Sequence, residues 1–175
     1  MARPKYLIDA NVFIQAKNLY YRFDFCEAFW AWLHKAHEAG LVFSIKKVKK
    51  ELMGGDKSDL VRKWVENLPE DFFLDDVTDQ DVMRTYAKVM QWTSASTHFS
   101  PQAKAEFAKP DVADAFLIAV AKQHGYEIIS QEKSNTASKK KICLPDAADA
   151  FDVKTIFVYD MLSKHAESTF KLKTK

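Results

Sequence analysis

Residues 6–14 read Tyr6-Leu7-Ile8-Asp9-Ala10-Asn11-Val12-Phe13-Ile14. The first three are apolar and strand-prone, and the run then stops on an acid, a small residue and an amide. A short apolar run of this kind suits a central strand of an α/β sheet, buried on both faces. An ionised carboxylate at its end would be costly to bury alone. It is tolerable at the carboxyl edge of the sheet, in the crevice where open α/β sheets bind ligands. The local alternative is that Asp9 caps the following helix and Asn11 serves a turn. The choice turns on which other groups share that crevice.

Downstream, strand-like and helix-like stretches alternate. Phe25–Ala39 reads as a helix with Phe25, Phe29, Leu33 and Ala36 on one face and Gly40 as its stop. His34 and His37 lack a third ligand and read as surface or interface histidines. Trp30 and Trp32 offer bulk for a helix contact or a dimer interface. Residues 41–44 read as a second strand. Ile45–Met53 reads as a helix with Ile45, Val48 and Leu52 as its apolar stripe and Glu51 at the border of that stripe. Ser58 is the expected cap of the next helix, which carries Val61, Trp64, Val65 and Leu68 and stops at Pro69. Residues 72–74 read as a connector. Thr78 and Asp81 resemble a capping box, opening a helix with Val82, Tyr86, Val89 and Met90 inward. A polar loop from Ser94 and a short helix from Ser100-Pro101 follow.

Pro110 to His124 is the second informative stretch. From Ala113 to Ala121 it is apolar nearly all round apart from Asp114, the mark of a buried helix. Asp111 and Asp114 are expected in its first turn, where the helix dipole favours acids. Glu127–Ser130 is then a strand followed at once by Gln131 and Glu132, which repeats the strand, turn and acid pattern of Asp9. Residues 134–141 read as a flexible loop and 142–144 as a further strand closed by Pro145. Residues 154–158 suit a short strand or connector, Tyr159–His165 a short helix, and Lys171–Lys175 a loose tail. The alternation points to a three-layer α/β/α sandwich with a central, mainly parallel sheet. With 175 residues and no internal boundary, one domain over residues 1–175 is expected.

Composition narrows the function. An apolar fraction of 47% with 13 Phe excludes low-hydrophobicity disorder. Only 4 Gly, with neither G-x-G-x-x-G nor G-x-x-x-x-G-K-[ST], argues against a phosphate-cradling loop. Cys26 and Cys143 match no ligand spacing and read as reduced thiols. The only N-terminal apolar run is interrupted by Asp9, and no apolar stretch approaches membrane-spanning length. A cytoplasmic protein without a membrane partner is expected.

Asp9 and Glu132 each follow a strand, Glu51 lies on the helix after strand two, and Asp114 opens the helix before the last of these strands. In a parallel sheet these places converge on one edge. Four converging carboxylates repel strongly in a partly dry site, and a divalent metal resolves the repulsion. Oxygen donors favour Mg²⁺ or Mn²⁺ over Zn²⁺. Such a site without a nucleotide loop suits phosphodiester hydrolysis, with one or two ions activating a water and stabilising charge. No side-chain nucleophile with a partnered base is evident.

On these motifs the chain resembles the PIN-domain nucleases, the VapC-like toxin ribonucleases among them. The matching pieces are L-I-D-A-N-V-F at Asp9, V-K-K-E-L at Glu51, D-A-F-L-I-A-V-A at Asp114 and I-I-S-Q-E at Glu132. The segment from Lys141, K-I-C-L-P-D, resembles one branch of small prokaryotic PIN-like proteins. The resemblance implies a single PIN-like domain and metal-dependent endoribonuclease activity. It implies Asp9, Glu51 and Asp114 as catalytic metal ligands, with Glu132 as the fourth. Most PIN domains carry Asp at that fourth place, after a strand ending in Thr; here the strand ends in Ser130. Asn11 and Ser130 would support the carboxylates by hydrogen bonds, with Asp111 as a further supporting candidate. The implied partners are RNA, a cognate antitoxin protein and a second copy of the chain.

A carboxylate site repels a phosphate backbone until metal binds, so basic groups are expected around it. Lys46, Lys47, Lys49 and Lys50 precede Glu51, and Lys133, Lys139, Lys140 and Lys141 follow Glu132. These two clusters are the nucleic-acid-binding candidates, and Trp92, His98 and Phe99 are stacking candidates beside them. Two other functions stay open: a PIN-like module that binds RNA or protein without cutting, and a different Mg²⁺-dependent phosphotransferase or phosphatase. Asn11 stands where an aspartyl-phosphate enzyme would place a second Asp, which counts against the latter.

Overall fold

The structure, a computed structural model, describes residues 4–167. The expected tail at Lys171–Lys175 lies outside the described residues. Five strands form one sheet: β1 (Tyr6–Ile8), β2 (Val42–Ile45), β3 (Phe73–Leu74), β4 (Glu127–Ile129) and β5 (Thr155–Ile156), in the order β3-β2-β1-β4-β5. Every neighbouring pair is parallel. Parallel neighbours need crossovers, which here are helical. The helices are α1 (Ala10–Gln15), α2 (Glu27–Glu38), α3 (Lys46–Met53), α4 (Leu60–Glu66), α5 (Gln80–Ala95), α6 (Pro101–Phe107), α7 (Asp114–His124), α8 (Leu144–Asp149) and α9 (Val158–His165). A π-helical segment, Ala16–Tyr20, extends α1. Helices flanking a parallel sheet give the expected α/β/α sandwich.

The chain first builds outward from β1 through β2 to β3, then returns to build β4 and β5 on the other side. The strand order therefore reverses at β1, the place where such sheets open a ligand crevice at their carboxyl ends. Tyr6, Leu7 and Ile8 are all buried, as expected of a strand covered on both faces. Helix α7 is buried on nearly every side, from Ala115 to Ala121, so it forms part of the core. Gly40 and Gly125 both follow helices at φ near +70°, a left-handed conformation that glycine adopts without Cβ strain.

Several local expectations are corrected. Phe25 lies ahead of α2 and is exposed, because the helix starts at Glu27. His37 is buried rather than a surface group, with Nδ1 3.1 Å from the Val42 carbonyl and Nε2 3.2 Å from Asp71. Trp30 is core: it stacks on Phe23 and donates to the Tyr21 carbonyl at 2.7 Å. Asp59 caps α4 in place of Ser58, which binds Asp56 instead. Asp79, one residue after Thr78, caps α5. Residues 73–74 form edge strand β3, and α5 extends to Ala95. Residues 142–143 form no strand, and Pro145 lies in the first turn of α8. The loop at 134–141 has little regular structure but is anchored. Ser134 and Asn135 bind Asp146, and the Ser138 and Lys139 carbonyls accept from His98 and Ser100.

Candidate functional site

The register of the sheet builds the site. Ile8 is opposite Ile129 on β4, so the next residues, Asp9 and Ser130, leave the sheet side by side. The Asp9 N–H still bonds to the Ile129 carbonyl at 3.0 Å. Asp9 occupies the capping position of α1, but its side chain makes no capping bond. Asp9 Oδ2 instead accepts from Ser130 Oγ at 3.0 Å. The local alternative, an acid spent on its own helix, therefore fails.

Ser130 bonds directly to the Asp9 carboxylate, whereas Asn11 reaches it only through Ser130. Asn11 Nδ2 donates to Ser130 Oγ at 3.0 Å, and Asn11 Oδ1 accepts from the Gln131 N–H at 3.0 Å. One amide side chain thus ties the turn after β1 to the turn after β4.

Glu51 comes from the last turn of α3, and Asp114 is the first residue of α7. Together with Asp9 and Glu132 they line one open cleft of about 420 Å³. All four acids expected from the sequence are therefore brought to one place, from four separate elements. Asp111 also lines the cleft, but from the turn before α7 rather than inside the helix, and it is exposed.

The electrostatics are those of an unneutralised acid cluster. The Asp9 carboxyl is pushed up to about 8, first by burial, then by the charge of Asp114, against the lowering bond from Ser130. Asp114 is pushed up to about 7, again by burial first and then by the charge of Glu132, with Lys141 acting the other way. Burial also raises Glu51 above the ordinary carboxylate range, although its side chain remains exposed at the cleft rim. The side chains of Glu51 and Asp114 make no hydrogen bond or ion pair among the described residues.

Glu132 differs from the other three. Its Oε1 accepts from Lys141 Nζ, and its Oε2 accepts from the Leu144 N–H at 2.7 Å. Both oxygens are engaged, and Lys141 itself lines the cleft.

These acids suit a hard divalent ion by donor type, since Mg²⁺ and Mn²⁺ take carboxylate oxygens. Among the described residues, no three His, Cys, Asp or Glu side chains form a ready-made ligand group. The fit is thus one of chemistry and placement. Asp9, Glu51 and Asp114 have oxygens to offer, whereas Glu132 is already bonded.

The expected lysines divide. Lys46 is paired with Asp75 at 2.8 Å. Lys47 Nζ donates to the Pro110 carbonyl at 2.7 Å and stands 4.5 Å over the Phe116 ring, so it straps α3 to the start of α7. Lys49 stands over Phe73. Lys50, Lys133, Lys139 and Lys140 are exposed. Phe99 packs against both Trp92 and His98, and Trp92 also meets Phe151. Glu106 and Lys109 also line the cleft, although no motif in the sequence marks them. They lie at the end of α6 and just beyond it, a short helix whose sequence shows only caps and an apolar face.

A family model described as a domain of unknown function, DUF4411, matches residues 6–169. The chain belongs to the DUF4411 family. The match starts at the first residue of β1 and passes the end of α9, so the DUF4411 region contains every acid of the cleft. Comparison with curated proteins gives no match. Among the described residues, no helix is long and apolar enough to cross a membrane.

Proposed function

We propose that this chain is a metal-dependent endoribonuclease of PIN-like type, cutting RNA phosphodiester bonds. The observation that carries the reading is the convergence of Asp9, Glu51, Asp114 and Glu132 on one cleft at the carboxyl edge of a parallel sheet. Asp9 and Asp114 are held there at a cost in burial and mutual repulsion that folding alone does not require.

In this reading Asp9, Glu51 and Asp114 hold Mg²⁺ or Mn²⁺. When bound, the ion lowers the pKa of a coordinated water and stabilises charge on the phosphate. Ser130 holds Asp9 in place by its hydrogen bond, and Asn11 holds Ser130. Helix α7 brings Asp114 in from an element buried on nearly every side. The exposed lysines around the 130s loop offer phosphate contacts. We place the protein in the cytoplasm. A toxin role, a cognate antitoxin and a homodimer rest on the family resemblance alone.

The competing reading is a PIN-like module that binds RNA without cutting. The engagement of both Glu132 oxygens favours it, because a four-carboxylate metal set is then not free. One experiment separates the two. Purified wild type and Asp9→Asn are incubated with a mixed RNA pool in Mg²⁺, Mn²⁺ or EDTA. Cleavage that needs metal and is lost in the variant is expected. RNA binding without cleavage by a folded, metal-bound wild type would give the binding module instead.

A further inference from the structure

We propose that Lys141 takes the place of a second metal ion, so that the cleft binds a single divalent cation beside a built-in ammonium. The inference rests on the metal-dependent reading above and specifies the charge arrangement of that same cleft.

With Asp9, Glu51 and Asp114 assigned to one ion, Glu132 is the acid of the four left to serve a second. Its Oε1 is engaged by Lys141 Nζ, and its Oε2 accepts from the Leu144 N–H at 2.7 Å. Leu144 is the first residue of α8, whose leading N–H groups have no partner within the helix. Glu132 therefore serves that helix start and holds the lysine at the same time. Moving it to a metal would break both of these bonds.

Lys141 and Leu144 lie three residues apart on one strap that passes across the Glu132 carboxylate. The strap is itself anchored, since the Lys141 N–H donates to Ser138 Oγ at 3.2 Å and the Lys139 carbonyl accepts from Ser100. The ammonium is thus fixed at the cleft wall, on the Asp114 side, where it offsets part of the acid cluster's charge.

An ammonium has three N–H donors and no acceptor. One N–H is engaged by Glu132, and the others are available to a non-bridging oxygen of an RNA phosphate. In that arrangement Lys141 meets the charge that develops on the phosphate. Glu132 is the positioning residue that holds it there.

The test is a count of ions. Metal-stripped wild type, Lys141→Met and Lys141→Arg are titrated with Mn²⁺, with calorimetry for stoichiometry and electron paramagnetic resonance for spin coupling. Wild type and Lys141→Arg are expected to bind one ion with an uncoupled spectrum. Lys141→Met is expected to bind a second ion, because Glu132 Oε1 is released. The Lys141 side chain is 67% exposed, so the substitution leaves the core alone. Two coupled ions in wild type would overturn the inference and leave the nuclease reading standing. One ion in all three proteins would remove Lys141 from the role. No binding by wild type would overturn the metal-dependent reading together with this one.

Discussion

Ser130 Oγ lies 3.0 Å from Asp9 Oδ2, and the hydrogen between them belongs to the serine. Asn11 Nδ2 at 3.0 Å and the Glu132 N–H at 3.2 Å fill the acceptor sites of that hydroxyl. Its single hydrogen is then left for the carboxylate. The arrangement ties the turn after β1 to the turn after β4 through one oxygen atom.

Replacing Ser130 by Ala removes the donor to Asp9 and leaves two N–H groups facing a methyl. Stability should fall by about 1–3 kcal/mol, the usual penalty for stranding buried polar groups. Mn²⁺ affinity should fall by roughly tenfold or more, the usual effect of removing a ligand's support. Urea denaturation and calorimetric titration read the two effects separately. An unchanged Mn²⁺ affinity would show that Asp9 needs no orienting partner.

Stability without metal should decrease as pH rises. Asp9 and Asp114 have folded values pushed up to about 8 and about 7, from an ordinary 3.8. Between the ordinary value and these raised values the folded chain binds more protons than the unfolded one, so raising pH favours unfolding. Their adverse contribution is absent below the ordinary value and fully developed above about pH 8. In EDTA, the melting temperature should therefore be higher near pH 5.5 than near pH 8.5. Mn²⁺ should raise it most at the alkaline end, where the carboxylates are ionised. A metal-induced shift that is larger at the acid end would contradict this account of the cleft.

The strand and acid pattern made most of this site legible in advance. Tyr6–Ile8 and Glu127–Ile129 announce themselves as buried strands, and each is followed at once by polar residues at the sheet edge. Asp114 stands out because the rest of α7 is apolar. What stayed hidden depends on contacts between distant residues. Lys47 reads as part of a basic run, yet its ammonium is occupied by the Pro110 carbonyl and the Phe116 ring, more than sixty residues away. The engagement of Glu132 by Lys141 and Leu144 is set by a strap whose path periodicity does not specify. Residues 142–144 are apolar enough to read as a strand, but Pro145 helps to start a helix there. Asp59 and Asp79 cap their helices one position beyond Ser58 and Thr78, since adjacent Asp residues compete for the same role.

Lys47 should behave as a structural residue. Lys47→Met removes the bond to Pro110 and the charge over Phe116, and should lower stability by about 1 kcal/mol. The turn before α7 carries Asp111 and leads into Asp114, so Mn²⁺ affinity should weaken as well. RNA binding by an Asp9→Asn background, which does not cut in the proposed mechanism, should retain its salt dependence. A flatter salt dependence in the Lys47 variant would return this lysine to the RNA path.

Lys133, Lys139 and Lys140 should give the opposite result. All three are exposed, and they sit on a loop anchored at Asp146, His98 and Ser100, so their bases are fixed near Glu132 while their charges remain accessible. Each lysine that neutralises a phosphate of single-stranded RNA should contribute about 0.7 to the slope of log affinity against log salt. Changing all three to Ala in the Asp9→Asn background should therefore flatten that slope by roughly two. Stability should stay nearly constant, because exposed lysines contribute little to folding. Fluorescence anisotropy with a labelled single-stranded RNA over a salt series measures the slope directly. An unaltered slope would move the RNA path away from this loop and towards the side of the cleft lined by Lys109.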